Sequence, residues 1–367
     1  MRNRIRTTLA VAASAVLAVT ASACSSDDDK PSAQRSPGAL ISADRCEQNK
    51  AAGEIVYLSG YGWQASASIL EYAAAKKLGY FEDLCLNVAL EPGTGDVAQN
   101  TNLMAAGHVT FSPVSQQDIL TANANGIHIQ GISSYSNSGL EVLMTMPDVK
   151  NLKQLDGTKL GQKGAMPVAV QAMMIKEGVD FDSVQQTVVG YDPSILPQGQ
   201  VKSLTGFISN EPNQLKAAGK KVTVWRPSDY QVPSSLGSMA VDPEFATEHP
   251  TAVEDVLRAA LHAYEYCEAN AAECVKYTAE LDGGSQGFPY DQQANVGIWQ
   301  TEAQVVKETR KAGTPLGTID LDNVHALADM LNKYTVTQIS ADDERDEFAP
   351  QFIQNIYDGD KLIWPAP

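Results

Sequence analysis

Residues 53–79, GEIVYLSGYGWQASASILEYAAAKKLG, decide the fold. Glu54–Leu58 (EIVYL) is β-branched and aromatic and reads as a strand. Ser66–Lys77 (SASILEYAAAKK) sets Ile69, Leu70, Ala73 and Ala74 at helical spacing and stops at Gly79. Between them lies a polar and aromatic turn, Ser59-Gly60-Tyr61-Gly62-Trp63-Gln64. A strand, a turn and a covering helix make the repeating unit of a parallel sheet.

The unit repeats down the chain. Leu86–Leu90 is a second strand, closed by Pro92-Gly93, and Val97–Ala106 is a helix stopped by Gly107. Val109–Ser112 and Ile127–Ile132 are strands around the helix Ser115–Asn123. The pattern then restarts. Leu152–Leu155 leads through Asp156-Gly157 into strand Lys159–Gln162 and helix Pro167–Lys176. Strands Gln186–Gly190, Leu204–Ser209 and Lys221–Trp225 follow, with a short helix at Pro212–Ala218. After Met239–Val241 the chain is helical at 250–268, 271–280, 291–311, 321–333 and 344–356. The expected fold class is α/β: two Rossmann-like lobes with a ligand cleft between them and a helical C-terminal extension. The expected divisions are 1–23, a signal peptide; 24–52, a lipidated N-terminus and tether; 53–145, the first part of lobe I; 146–238, lobe II; and 239–367, the return to lobe I and the C-terminal helices.

Length and composition agree with two lobes. The chain has 367 residues, 43% apolar and 19% charged, enough for two cores. Its net charge is −17, and Arg2, Arg4 and Arg6 fall in the expected signal peptide. Without them, 24 basic residues face 44 acidic ones. Such a surface repels polyanions, which argues against nucleic acid as a partner.

The N-terminus carries the compartment. Three arginines precede a thirteen-residue apolar run, Leu9–Ala21, and then Ser22-Ala23-Cys24. This is the order of a secretory signal peptide, and the run is too short to span a bilayer. Ala21-Ser22-Ala23 suits ordinary cleavage. Ala21-Ser22-Ala23-Cys24 also resembles a bacterial lipobox, with Ala21 where Leu is usual. Residues 25–45 read as a polar tether, and Cys24 is the odd one of five cysteines, which favours Cys24 as a lipid acceptor. Cys46, Cys85, Cys267 and Cys274 can pair in an oxidising compartment in three ways. The short Cys267–Cys274 loop favours that pair and leaves Cys46 for Cys85. The histidines, at 108, 128, 249, 262 and 325, are scattered, and neither CxxC nor HExxH occurs, so no metal or cofactor is expected.

In open parallel sheets, ligands sit beyond the carboxyl ends of the strands. In lobe I those loops hold Tyr61, Trp63 and Gln64; Thr94 within Gly93-Thr94-Gly95-Asp96; Ser115, Gln116 and Gln117; and Tyr135. In lobe II they hold Lys163 and Gly164, Tyr191, Asn210 and Glu211, and the stretch Trp225 to Tyr230. Amides and flat rings dominate, which suits a small polar heteroaromatic ligand stacked on rings and read at its edge. Each residue also has a structural assignment. Trp63 can cap its lobe, and Gly93–Asp96 can be turn chemistry. Gln116 and Gln117 can be a solvated first turn, Glu211 a first-turn acid, Trp225 and Tyr230 hinge packing, and Lys163 a solvated loop lysine.

Several segments resemble a known family. Glu71 to Phe81 (EYAAAKKLGYF) is similar to the A-x-x-K-G-Y-F helix end of periplasmic-type solute-binding proteins. Leu103 to Phe111 (LMAAGHVTF) is similar to their L-x-x-G-x-x-D-F segment, with Thr110 in place of Asp. Lys153 to Gly161 resembles their L-x-G-K-x-V-G passage into the second lobe. Together these resemble the NMT1/THI5-like group over residues 54–280. Ser209-Asn210-Glu211-Pro212, Trp225 to Tyr230 and Trp63 resemble its pyrimidine- and flavin-binding branch. The resemblance implies a periplasmic-binding-protein type II fold. It implies a monomeric lipoprotein, tethered at the outer face of the membrane, that closes over a thiamine pyrimidine precursor or flavin-like solute. The partners it implies are the permease subunits of an ABC importer with a separate ATPase. Alternatives are an alkanesulfonate- or nitrate-type receptor, a surface lipoprotein without transport, and a pyrimidine-synthase-like enzyme. The sequence lacks the synthase's C-C-C-F-C run, a G-x-S-x-G elbow and a P-loop, so a binder rather than an enzyme is expected.

Overall fold

The computed structural model describes residues 38, 40–284, 290–340 and 346–367. The expected signal peptide, the lipid acceptor Cys24, nearly all of the tether ahead of residue 40 and part of the expected helix 344–356 lie outside the described residues.

Two five-stranded sheets form the frame. The first contains β1 (Glu54–Leu58), β2 (Asn87–Glu91), β3 (Phe111–Pro113), β4 (Gln130–Ser133) and β10 (Met239–Val241), in the order β2-β1-β3-β10-β4. The second contains β5 (Glu141–Thr145), β6 (Lys159–Gln162), β7 (Gln185–Val188), β8 (Ser203–Phe207) and β9 (Thr223–Trp225), in the order β7-β6-β8-β5-β9. β1 runs parallel to β2 and β3, and β6 runs parallel to β7 and β8. The sheets are nevertheless mixed. β10 is antiparallel to β3 and β4, and β5 is antiparallel to β8 and β9. β10 and β5 are the strands that enter each sheet from the other, so they arrive in the opposite sense.

β5 is the strand that periodicity misses. Its four residues after Glu141 are all buried, so Val-Leu-Met-Thr shows no alternation of apolar and polar positions. Because β5 belongs to the second sheet, the chain crosses between Ser133 and Glu141, ahead of the expected boundary at 145/146. It returns between Trp225 and Met239. The two crossings pair with each other: Ser136 bridges Leu236 antiparallel, and the Tyr135 amide donates to the Leu236 carbonyl at 2.8 Å.

The N-terminal stretch is more ordered than a tether. α1 (Ala43–Ala51) is a helix capped by the Ser42 hydroxyl. Its Cys46 is disulfide-bonded to Cys85, and Arg45 and Asn49 both bond to the buried Asp255 on α9 (Pro250–Ala269). The second disulfide joins Cys267 to Cys274 at the junction of α9 and α10 (Ala271–Asp282). Both pairs are those favoured by spacing.

Helices cover the first sheet. α2 (Leu70–Lys77) packs on α9 and α10, α3 (Tyr80–Asp83) follows it directly, and α4 (Val97–Ala105) and α5 (Gln116–Ala124) follow β2 and β3. The second sheet carries α6 (Val168–Lys176) and α7 (Glu211–Ala217). After α8 (Pro243–Glu248) and the α9–α10 pair, the chain adds α11 (Gln292–Thr309), α12 (Leu321–Tyr334) and the short α13 (Gln351–Gln354). α12 packs against both α5 and α6, and its Asn323 bonds to the Ser234 carbonyl in the return crossing. The larger core, around Tyr57, Tyr72, Phe81, Tyr264 and Trp299, lies in the first lobe and binds the C-terminal helices to it. Among the described residues no helix is long and apolar enough to cross a membrane.

α2 begins at Leu70, four residues later than the spacing predicts, for a local reason. The amides of Ala65, Ala67 and Ser68 are each taken by a side chain, Asn295 Oδ1, Glu302 Oε2 and Glu71 Oε1. Ser68 also holds a left-handed φ of 71°, which interrupts the helix.

Candidate functional site

The loop after β1 is braced by its neighbour. The Gly93 amide donates to Ser59 Oγ at 3.0 Å and to the Tyr61 carbonyl at 3.2 Å. The Gly95 amide reaches the Gly60 carbonyl, and Asp96 caps α4. A Cβ at Gly93 would stand 1.9 Å from the Ser59 carbonyl oxygen, so only glycine allows this approach. Thr94 is exposed and bonds to Gln99. The Gly93–Asp96 stretch therefore shapes the neighbouring loop.

That loop presents Tyr61. Its ring is 43% exposed and meets Phe207, at the end of β8, edge-on at 6.4 Å across the two sheets. Packing around the ring and the carboxylates of Glu141 and Asp118 raise its phenol above the ordinary tyrosine value, with Tyr191 contributing. Gln64 is half-buried. Trp63 is different: 3% exposed, it packs in the larger core. Tyr135 also turns inward. It is 3% exposed, donates to Glu71 Oε1 at 2.6 Å, and packs under Gly237 in the paired crossings.

The first turn of α5 faces the same space. Ser115 caps it, accepting from the Asp118 amide and donating to Asp118 Oδ2 at 2.5 Å. Gln116 is fully buried rather than solvated; its Oε1 accepts from Asn323, and its amide donates to Ser235 Oγ. Gln116 Nε2 and Gln117 Oε1 are buried without a hydrogen-bond partner. From the second sheet, Gln162 Oε1 at the end of β6 is buried and unpaired in the same way. Buried amide atoms without partners are rare in proteins, and here two lie on the first turn of α5 and one at the end of β6.

Next to Gln162, Lys163 Nζ contacts Glu211 Oε1 and lies 5.4 Å from the Tyr191 ring. Burial pulls the lysine down to about 8. Lys163 is thus no solvated loop lysine. Glu211 is 1% exposed and also accepts from the Phe207 amide at 2.7 Å. Gly164 has a φ of +97° and turns the chain away beside Lys163. Tyr191 is 79% exposed. Asn210 begins α7 and bonds to Gln214, beside an open groove of 880 Å³ between α7 and α11. Tyr230 lies apart: it is half-buried in the second core, with its carbonyl bonded to Lys176. Trp225 is pinned to β5 through Thr145 Oγ1 at 2.9 Å.

Three acidic groups carry weight that sequence reading did not give them. Burial raises Asp118, against its bond from Ser115. Burial and then the charge of Asp118 raise Glu141, against bonds that include one from Ser234. Neither has a basic partner among the described residues. Glu302 on α11 is 1% exposed, and burial raises it to about 7. Glu141 stayed hidden because β5 was not recognised. Glu302 lies in a helix whose spacing shows only an ordinary amphipathic surface. Among the described residues, no group of three or more His, Cys, Asp or Glu is placed to hold a metal ion.

Two mixed sheets, two paired crossings and strand-end loops facing across a cleft define a periplasmic-binding-protein type II fold. The chain belongs to the NMT1/THI5-like family, whose model matches residues 66–274. It resembles the periplasmic aliphatic sulphonate-binding protein SsuA from Escherichia coli at 14% identity and a TM-score of 0.58, over 86% of this chain and 96% of that one. It resembles the periplasmic sulfonate-binding protein SsuA from Methylobacillus flagellatus KT at 12% identity and a TM-score of 0.60, over 82% and 93%. It resembles the periplasmic nitrate-binding protein NrtA from Synechocystis PCC 6803 at 11% identity and a TM-score of 0.58, over 82% and 87%. At these identities the likeness is one of fold. No curated protein matches the chain in sequence.

Proposed function

We propose that the chain is the solute-binding component of an ABC importer. It is exported, held by lipid on Cys24 at the outer face of the membrane, and works as a monomer. It captures a small heteroaromatic solute of the thiamine-pyrimidine or flavin kind and presents it to a permease served by a separate ATPase. Lobe I (53–140 and 239–367) and lobe II (141–238, beginning with β5) close over the ligand. Ligand contacts from both lobes stabilise the closed form.

The observation that carries this reading is the set of groups facing across the two sheets. Tyr61 and Phe207 offer ring faces and edges, and the unpaired amide atoms of Gln116, Gln117 and Gln162 offer one donor and two acceptors. A ring nitrogen and an exocyclic amine satisfy such atoms, and Lys163 with Glu211 reads a further polar edge. Asp118 and Glu141 weigh against the anion-receptor alternative that the sulfonate and nitrate neighbours suggest. A sulfonate in this cleft would face two carboxyls without basic partners. The test is mass spectrometry of small molecules that co-purify with the protein after export. A pyrimidine or isoalloxazine released on denaturation is the expected result; an alkanesulfonate or nitrate would overturn the ligand assignment.

A further inference from the structure

The C-terminal helices lie beyond the family-matched residues 66–274, and the proposed function leaves them without a task. α11 belongs physically to the first lobe. Trp299 is 1% exposed in the larger core and donates to the Cys267 carbonyl, and Asn295 takes the Ala65 amide. One turn further on, Glu302 points at both lobes. Its Oε2 accepts from Ser66 Oγ at 2.8 Å and from the Ala67 amide at 2.7 Å, in the loop that carries Tyr61 and Gln64. Its Oε1 accepts from Ser209 Oγ at 2.8 Å, in the second-lobe loop that carries Asn210 and Glu211. The neighbouring Thr301 hydroxyl accepts a longer bond from Asn213 at 3.3 Å.

We propose that Glu302 is a positioning residue of the binding cycle: through one carboxyl it sets the first cleft loop and latches the second lobe against it. Opening breaks the bond to Ser209, while the bonds to Ser66 and Ala67 keep α11 on the first lobe. The proposal rests on the two-lobe closure reading.

Burial gives the latch a sign with pH. With Ser209 bonded to it, the arrangement taken here as closed, Glu302 is raised to about 7 from an ordinary 4.5. When Ser209 departs and water reaches the carboxyl, its affinity for a proton falls toward the ordinary value. The closed form therefore holds an extra proton between pH 4.5 and about 7. Closure is favoured at the acid end of that window and loses this support as pH rises through it. The titratable groups facing Glu302 are Glu71 on α2 and Tyr264 on α9. Glu71 bonds to Ser68 and to Tyr135, whose ring in the first crossing packs in the first core, and Tyr264 is buried in that core, so neither changes partner on opening.

The experiment places spin labels at His128→Cys and Gln186→Cys, exposed positions on the two sheets' flanks, and reads their distance distribution from pH 4.5 to 8. Expected are two populations, with the longer distance gaining as pH rises to 7. Glu302→Gln mimics the protonated acid and should keep the short distance at every pH. Glu302→Ala should raise the ratio of long to short about fivefold, the worth of one hydrogen bond. Ser209→Ala leaves the first loop untouched and should do the same, which keeps the test valid if Glu302→Ala folds poorly. A Ser209→Ala distribution identical to the unmodified protein's, with both populations present, would overturn the latch alone. A single fixed distance in all variants, at every pH and with riboflavin added, would overturn both the latch and the closure reading.

Discussion

Trp63 in the loop after β1 and Glu71 in the first turn of α2 show how burial reassigns a residue. The aromatic after β1 looks like a stacking platform in sequence, yet the structure packs it in the first lobe's core at 3% exposure. Trp63→Ala is expected to cost about 3–5 kcal/mol of stability, as for other large core side chains. Chemical denaturation measures it; an unchanged midpoint would return Trp63 to the cleft. Glu71 is fully buried and raised to about 7, with desolvation the main cause and its hydrogen bonds opposing it. The native state therefore holds a proton that the unfolded chain has released between pH 4.5 and 7. Stability from this group is fully present below 4.5 and is lost as pH rises to about 7. Glutamine keeps Oε1 as the acceptor for Ser68 and Tyr135 and removes the titration. Glu71→Gln is expected to flatten the fall in unfolding free energy across that window by up to about 3 kcal/mol, read by denaturant titration at each pH. A parallel pH profile for the variant would contradict this.

At the scale of elements, the legible parts were those with local signals. β1, β6 and β10 fall at the predicted residues, because each is a short stretch bounded by glycines, turns or caps. α2 was predicted four residues early, because what stops the helix is Asn295 and Glu302, more than two hundred residues away. β5 was invisible because burial on both faces removes its alternation. α1 reads as tether because its polar sequence carries no stripe, and its order comes from Asp255 and a disulfide. In sequence, Gly93–Asp96 suits either a ligand contact through Thr94 or plain turn chemistry, and the structure gives it the shaping of the loop bearing Tyr61. Gly93→Ala puts a methyl group 1.9 Å from the Ser59 oxygen and must displace that loop. The expected outcome is a loss of ligand affinity of tenfold or more with the helices intact by circular dichroism. Unchanged affinity would mean the loop does not shape the cleft.

The whole molecule joins two mixed sheets by a pair of bridged crossings, with α12 on that side and α11 spanning the cleft loops. The α/β class and the family were legible, since strand-turn-helix units and short motifs survive in one sequence. The charge balance of the cleft was not, because it depends on Asp118 and Glu141 meeting across a crossing that the sequence reading placed elsewhere. That charge balance separates the competing ligands. Calorimetric titration of the purified chain with a 4-aminopyrimidine thiamine precursor, riboflavin, an alkanesulfonate and nitrate is the most direct test. The account expects saturable binding of the pyrimidine or the flavin and none of either anion. Tight binding of the sulfonate or nitrate, with no heat from the two heteroaromatic compounds, would contradict it.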